Sequence, residues 1–320
     1  MGDALAARLG VRFLFVTLFP NLYFFGVLGV LLIAGAPGGR PSWTVFEQRI
    51  DGVTFQGIAL AGVGIVLLSL ATHPLQLPLI QIIEGYWLGL PGGATLERLG
   101  RRRYEDLLTR ARATDASDGV DEATRAEAQR IMRWLPVRQH LRPTELGNAL
   151  YTGEVRAGER YRLRTDLAWP RLRALLPEPQ LGQVNDTRNQ LDASVRYCVL
   201  SLVAAATTLL ILLPYDIWLI VPLALYLFAW GSYRAAVAGA KRFCEELEVA
   251  FDLHHLRLWD ALALPRPANL REERSRAKRL TRMLAGSDLR KKDYARFVYV
   301  DDQAPAAGPA AAAPGPPVSP

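Results

Sequence analysis

Two tandem histidines, His254 and His255, stand between Asp252 and Asp260, and one helical turn puts Asp252 and His255 on a common face, the minimum from which a metal site could start. Zinc takes three or four protein ligands and no further Cys or His motif lies nearby, so the expectation is a solvated or hydrogen-bonded pair and no metal. Ser275-Arg276-Ala277-Lys278 matches S-x-x-K, which in penicillin-binding enzymes sets a nucleophilic serine one turn from its lysine. Its S-D-N and K-T-G companions are missing, and no nucleophile–base pair or phosphate-binding loop emerges elsewhere. The reading is of a protein that is not an enzyme and holds no cofactor.

Polar groups inside apolar runs are the second kind of candidate. Asn21 lies within the first apolar run and can hydrogen-bond between helices. His73 precedes Pro74, where a helix should stop, and Glu84 closes 32 residues without a charge, from 52 to 83. An ionisable group at membrane depth is a candidate for proton or ion handling. Glu84 has Tyr86 and Trp87 beside it, so the expectation is a carboxylate reaching head-group water. Gly231, Ala235 and Gly239 recur at every fourth position, the spacing that lets two helices approach closely in lipid, either within the chain or between copies of it.

These residues need long helices to position them. Four apolar runs fall at 13–34, 53–72, 197–213 and 217–233, and the first spans about 33 Å at 1.5 Å per residue. Its length and Pro37 argue for a retained anchor rather than a cleaved signal. Residues 74–90 read as an amphipathic interfacial helix, and 35–52 as a short loop with Trp43 and Phe46 at interfacial depth. Between the pairs of runs the chain is polar, with helical periodicity at 96–112 and 122–134. Thr144 suits the N-cap of a helix over 145–155, and another helix runs from about residue 179 through Arg196 into the third crossing. Asp216 can cap the fourth. A stalk follows to about residue 265, then a basic helix at 270–284.

The segments divide into a first transmembrane hairpin with its interfacial helix (1–90), a cytoplasmic helical loop domain (91–195), a second hairpin (196–233), a stalk with the basic helix (234–302) and a disordered Ala/Pro tail (303–320). Of 38 basic residues 34 are arginine. Near the apolar ends, Arg8, Arg12, Arg98, Arg101, Arg102, Arg103, Arg188, Arg196, Arg234, Lys241 and Arg242 fall on one side, and only Arg40 and Arg49 on the other. Eleven against two predicts cytoplasmic termini and a cytoplasmic central loop in a plasma-membrane protein. Cys198 and Cys244, the two thiols, imply no disulfide framework. Residues 266–296 carry eleven basic and four acidic groups, suited to anionic lipid head groups or equally to a solvated basic helix; without interleaved aromatics, nucleic acid is not expected.

Three stretches, IIEGYW at 82–87, LGNALYTGEVRAGERYRLRTDLAWPRLRALLP at 146–177 and FDLHHLRLWDALALPRP at 251–267, resemble a group of uncharacterised multi-pass membrane proteins from high-G+C bacteria. The resemblance implies shared architecture, with the second and third stretches forming one unit, and transfers no functional residue. The fold class expected is all-α, with four transmembrane helices in two hairpins and a helical cytoplasmic region. Tyr151, Tyr161, Trp169 and Arg171 are the candidate partner surface of an interaction or scaffold module, or equally the core of their own block. The alternative is an oligomeric ion channel, on a topology that resembles bestrophin-like channels.

Overall fold

The computed structural model describes residues 12–89, 91–286 and 299; Arg8, residues 287–296 of the basic stretch and the 303–320 tail lie outside them. Among the described residues all regular structure is helical: α1 (Phe19–Ile33), α2 (Trp43–Ile50), α3 (Phe55–Thr72), α4 (Gln76–Glu84), α5 (Gly93–Ala116), α6 (Glu122–Arg133), α7 (Glu145–Glu159), α8 (Thr165–Arg173), α9 (Glu178–Leu212), α10 (Ile220–Ala261) and α11 (Leu270–Leu284). Four stretches are long and apolar enough to cross a membrane: Leu14–Ile33, Phe55–Glu84, Glu178–Leu212 and Asp216–Ala261.

Local chemistry sets the boundaries. Leu14–Leu18 is a π-helical turn in which Phe19 N–H reaches Leu14 O. It lies just before Pro20, whose ring and missing N–H are incompatible with an uninterrupted α-helical ladder, and the wider turn accommodates both. Thr54 accepts from Gly57 N–H at 3.1 Å and starts α3. His73 and Pro74 then form a 3₁₀ turn between α3 and α4. Gly85, at φ +98, ends α4 in a Schellman motif, its N–H on Ile82 O and the Tyr86 N–H on Gln81 O. The amphipathic segment therefore stops at Glu84 and does not run to residue 90. Asp121 and Asn269 cap α6 and α11.

Two sequence expectations change. The 35–52 stretch is a turn followed by α2, started by Ser42 accepting from Val45 N–H at 3.2 Å, and Trp43 stacks on Phe46 with centroids 5.1 Å apart. Asp216 makes no side-chain cap; Tyr215 holds the N-cap position of a 3₁₀ turn that Asp216 opens. That tight turn needs no caboxylate to reach forward over a full α-helical turn.

The chain divides into two compact units. The first comprises residues 1–157 and 177–249. In it Ala204 and Ala205 of α9 pack with Leu225 of α10 beneath Tyr23, Phe24 and Val27 of α1. A second cluster of Leu31, Ala36 and Leu212 is covered by Tyr215 and Trp218, and a third joins Leu108, Leu135 and Leu141 beside α5 and α6. By contrast α3 buries only Ser69 and exposes Phe55, Leu60 and Leu67. The second unit comprises residues 158–176 and 250 onward, so α7 and α10 each contribute to both units. Its core is Leu163, Ala168, Leu172, Phe251, Leu258, Trp259, Ala277 and Leu280.

Candidate functional site

The first unit holds a chain of buried polar side chains among its apolar helices. Asn21 on α1 is 4 % exposed and donates to Ser69 Oγ at 2.9 Å and Thr72 Oγ1 at 3.3 Å, both on α3. Ser69 in turn donates to Ile65 O one turn back. Asn21 thus bonds between helices, as its position predicted, and it fastens α3, a helix whose one buried residue is its partner Ser69. Nearby, Ser201 Oγ donates to Tyr23 OH at 3.3 Å, and the Tyr23 ring lies against Tyr197 and Phe228. Asn21→Leu should lower stability by roughly 0.6–1.7 kcal/mol, the range of interhelical side-chain bonds in membrane helices. A denaturant titration of the detergent-solubilised chain reads this, and an unchanged midpoint would show that the bonds to α3 contribute nothing.

Along α9 this chain becomes charged. Arg188, Asp192 and Arg196 occupy every fourth position and so share a face. Asp192, 2 % exposed, is paired with Arg188 Nε at 3.1 Å and Arg12 Nη2 at 3.3 Å, while Gln76 Nε2 donates to its backbone carbonyl at 2.9 Å. Arg196 is buried completely, and its Nη2 donates to both Thr72 O and Thr72 Oγ1 at 3.0 Å. Arg196 had stood in the sequence only as one of the charges that set topology.

Glu84 is half-buried, in the field of Glu154, Arg188 and Arg142. Its backbone carbonyl does structural work as well, accepting from Thr144 Oγ1 at 2.9 Å, and that same hydroxyl accepts from Gly147 N–H at 3.0 Å as the cap of α7. A Cβ at Gly147 would overlap Glu84 O, so only glycine permits this approach. His73 is exposed, its ring 6.4 Å from Phe13. The small-residue stripe divides: Gly239 packs against the backbone of Leu191 on α9, whereas among the described residues nothing lies within 4 Å of a Cβ placed at Gly231, and Ala235 is exposed.

Of the four candidate partner residues the structure buries one, Tyr161, and leaves Tyr151, Trp169 and Arg171 partly or fully exposed. Tyr161 is buried in the second unit, stacked on His255 at 3.9 Å and donating its hydroxyl to Asp252 Oδ1 at 2.7 Å. Burial first, then the bond to Asp252, pushes the Tyr161 phenol up to about 12, so it stays a donor at any physiological pH. Trp169 is half-buried against Phe251, with ring centroids 6.5 Å apart. In the first unit Tyr151 lies half-buried beside His140 and beneath the Arg142 guanidinium. Arg171 alone of the four is exposed, and it donates to Leu167 O on its own helix. Aromatic rings carry large apolar areas, and burial in a helical block competes with a partner for them.

The second unit also shows where its histidines point. His255 Nδ1 lies 2.6 Å from Oε1 of the buried Glu273, and Asp252 pairs with Arg160 at 2.8 Å. Among the described residues no third ligand joins the histidine pair. Arg162, Arg271, Arg274, Ser275 and Lys278 line a groove of about 680 Å³, which places the S-x-x-K pair on a basic surface.

An all-helical chain with four helices long and apolar enough for a bilayer, and a polar chain threaded between them, is the class of protein that this arrangement defines. Comparison with protein families, with curated proteins and with solved structures finds no match.

Proposed function

We propose that the chain is a multi-pass plasma-membrane protein with cytoplasmic termini, arranged as two transmembrane hairpins, whose cytoplasmic helices act as an interaction or scaffold module. One observation carries this reading: α10 continues without a break from its apolar half into a charged half that is fastened to α7. Glu145 on α7 pairs with Arg234 at 2.9 Å and Lys241 at 3.0 Å, and Arg156 pairs with Glu248 at 3.0 Å. The Tyr233 hydroxyl accepts from the N–H groups of Glu145 and Leu146, at 3.1 and 3.4 Å. A protein bound to such helices is held at fixed distance and orientation from the bilayer, which is what a scaffold supplies. The basic groove of α11 supports a second contact, with anionic lipid head groups.

Cys198 and Cys244 are buried, so introduced thiols report topology cleanly. In intact cells a membrane-impermeant maleimide should modify Gln48→Cys and spare Asp118→Cys; the reverse pattern would overturn the orientation. Crosslinking of the native complex should return one partner at fixed stoichiometry. The second reading, an oligomeric ion conductor, is favoured by the polar chain at Asn21, Ser69, Thr72 and Arg196. It requires a closed homo-oligomer and ion flux in liposomes that Asn21 or Thr207 substitutions alter. Such flux, with no heterologous partner retained, would replace the scaffold reading.

A further inference from the structure

Arg196 has 1 % of its surface accessible, and only one of its guanidinium nitrogens has an acceptor: Nη2, on Thr72. Nε and Nη1, which carry the other three of the five N–H bonds of a guanidinium, are buried and have none among the described residues. A lysine or histidine so placed could shed its proton; an arginine cannot, and a buried charge left unpaired is among the costliest features a fold can hold.

The neighbours do not neutralise it. The carboxylate one turn away, Asp192, is already shared between Arg188 and Arg12. Arg188 also lies in the field of Glu84, so three cations share two acids, and among the described residues neither carboxylate pairs with Arg196. Arg12 and Arg188 keep part of their side chains in solvent, 47 % and 29 % exposed, whereas Arg196 keeps none. Thr17, 1 % exposed on the π-helical turn that packs against both α3 and α9, adds a buried hydroxyl without a partner among the described residues. Against these donors the same region has two buried acceptors without a hydrogen bond, Gln76 Oε1 and Asp192 Oδ1, and what remains is a net excess of positive charge, the complement of an anion.

We propose that Arg196 binds a small inorganic anion, of the size of a halide, through its unpaired N–H groups within the bundle of α1, α3 and α9. A lipid phosphate offers similar acceptor chemistry, but it is tethered to acyl chains, and the free nitrogens each expose less than 1 Å². An ion must part the helices to reach nitrogens so enclosed, and a compact one asks for the smallest opening. The site stands under either reading of the protein's function.

Chloride is the probe. The full-length chain in phosphatidylcholine nanodiscs, with chloride replacing gluconate at constant ionic strength, should show a saturable rise in Tm of roughly 4 °C by tryptophan fluorescence. Radiolabelled chloride should bind saturably to the same sample, and Arg196→Gln should lose both responses. Arg196→Lys, which keeps a charge but offers a different donor geometry, should bind at least tenfold more weakly. A wild-type chain indifferent to chloride overturns the proposal whether or not the variants fold. So does an unchanged response in Arg196→Gln. Stabilisation by phosphatidylglycerol nanodiscs in the absence of any chloride effect would assign the guanidinium to a lipid head group instead.

Discussion

Gly153→Ala should destabilise the first unit by about 2–3 kcal/mol, and Gly153→Val should prevent α7 from seating at all. Gly153 lies where α7 crosses α10, and an added Cβ would overlap both Cβ and Sγ of Cys244. Neither side can yield easily. Cys244 is wholly buried, with its sulfur against the carbonyls of Ala149 and Leu150 at 3.8 and 4.0 Å. The Glu145 pairs on one side and the Arg156–Glu248 pair on the other fix the register of the two helices, so sliding to relieve the overlap breaks charge-assisted bonds.

The compensating change is specific. Moving the methylene across the contact, as Gly153→Ala with Cys244→Gly, should recover most of the loss, less about 1 kcal/mol for a glycine inside α10. Thermal unfolding of the four chains in one detergent forms a double-mutant cycle, and a coupling near zero would show that this crossing is not a close one. A maleimide assay gives an independent reading, since the Cys244 thiol should be silent in the native chain and reactive in Gly153→Val. Because α10 bears the charged half to which the scaffold reading assigns its partner, Gly153→Val should also lose the crosslinked complex.

How far such features can be read from the sequence depends on whether the partner is near in the chain. The basic helix at 270–284 and the second apolar run were legible because their determinants are local: Asn269 and Thr54 cap them, and apolar residues either recur at helical spacing or fill the span. The helix α2 carried a legible cap in Ser42, yet eight residues between two apolar runs read more readily as a loop. Asn21 could be singled out because an amide in an apolar run demands a partner, although nothing in the sequence said that the partners would be Ser69 and Thr72.

Arg196 illustrates the opposite case. Its acceptor, Thr72, is 124 positions away, and an arginine at the edge of an apolar run looks like any flanking charge until the fold encloses it. Tyr161 and Asp252 are 91 positions apart, so nothing local marks this aromatic as a strut inside its own unit. Glu273 was hidden differently. It sits among arginines in a helix that reads as solvated, and only its spacing to Ala277 and Leu280, four and seven residues on, marks it as a member of the buried face.

That burial makes Glu273 the residue of the second unit whose loss should be felt most. Glu273→Ala should cost about 3 kcal/mol, because it removes the partner of a half-buried histidine and leaves a space in a closed core. The carboxylate is 3 % exposed and meets His255 Nδ1 at 2.6 Å; His255 stacks on Tyr161, and Tyr161 donates to Asp252, which also holds Arg160. Each contact orients the next, so removing the first loosens a network that joins α10, α11 and the segment after α7. Glu273→Gln keeps the shape and an acceptor and should cost only about 1 kcal/mol. The expected order is native above Gln above Ala, read from tryptophan fluorescence of the buried Trp259 during thermal unfolding. Limited proteolysis should follow the same order, with Glu273→Ala cut first between 262 and 286. Equal losses for the two variants would mean that volume rather than the hydrogen bond to His255 is what Glu273 supplies, and no loss in either would remove it from the core of this unit.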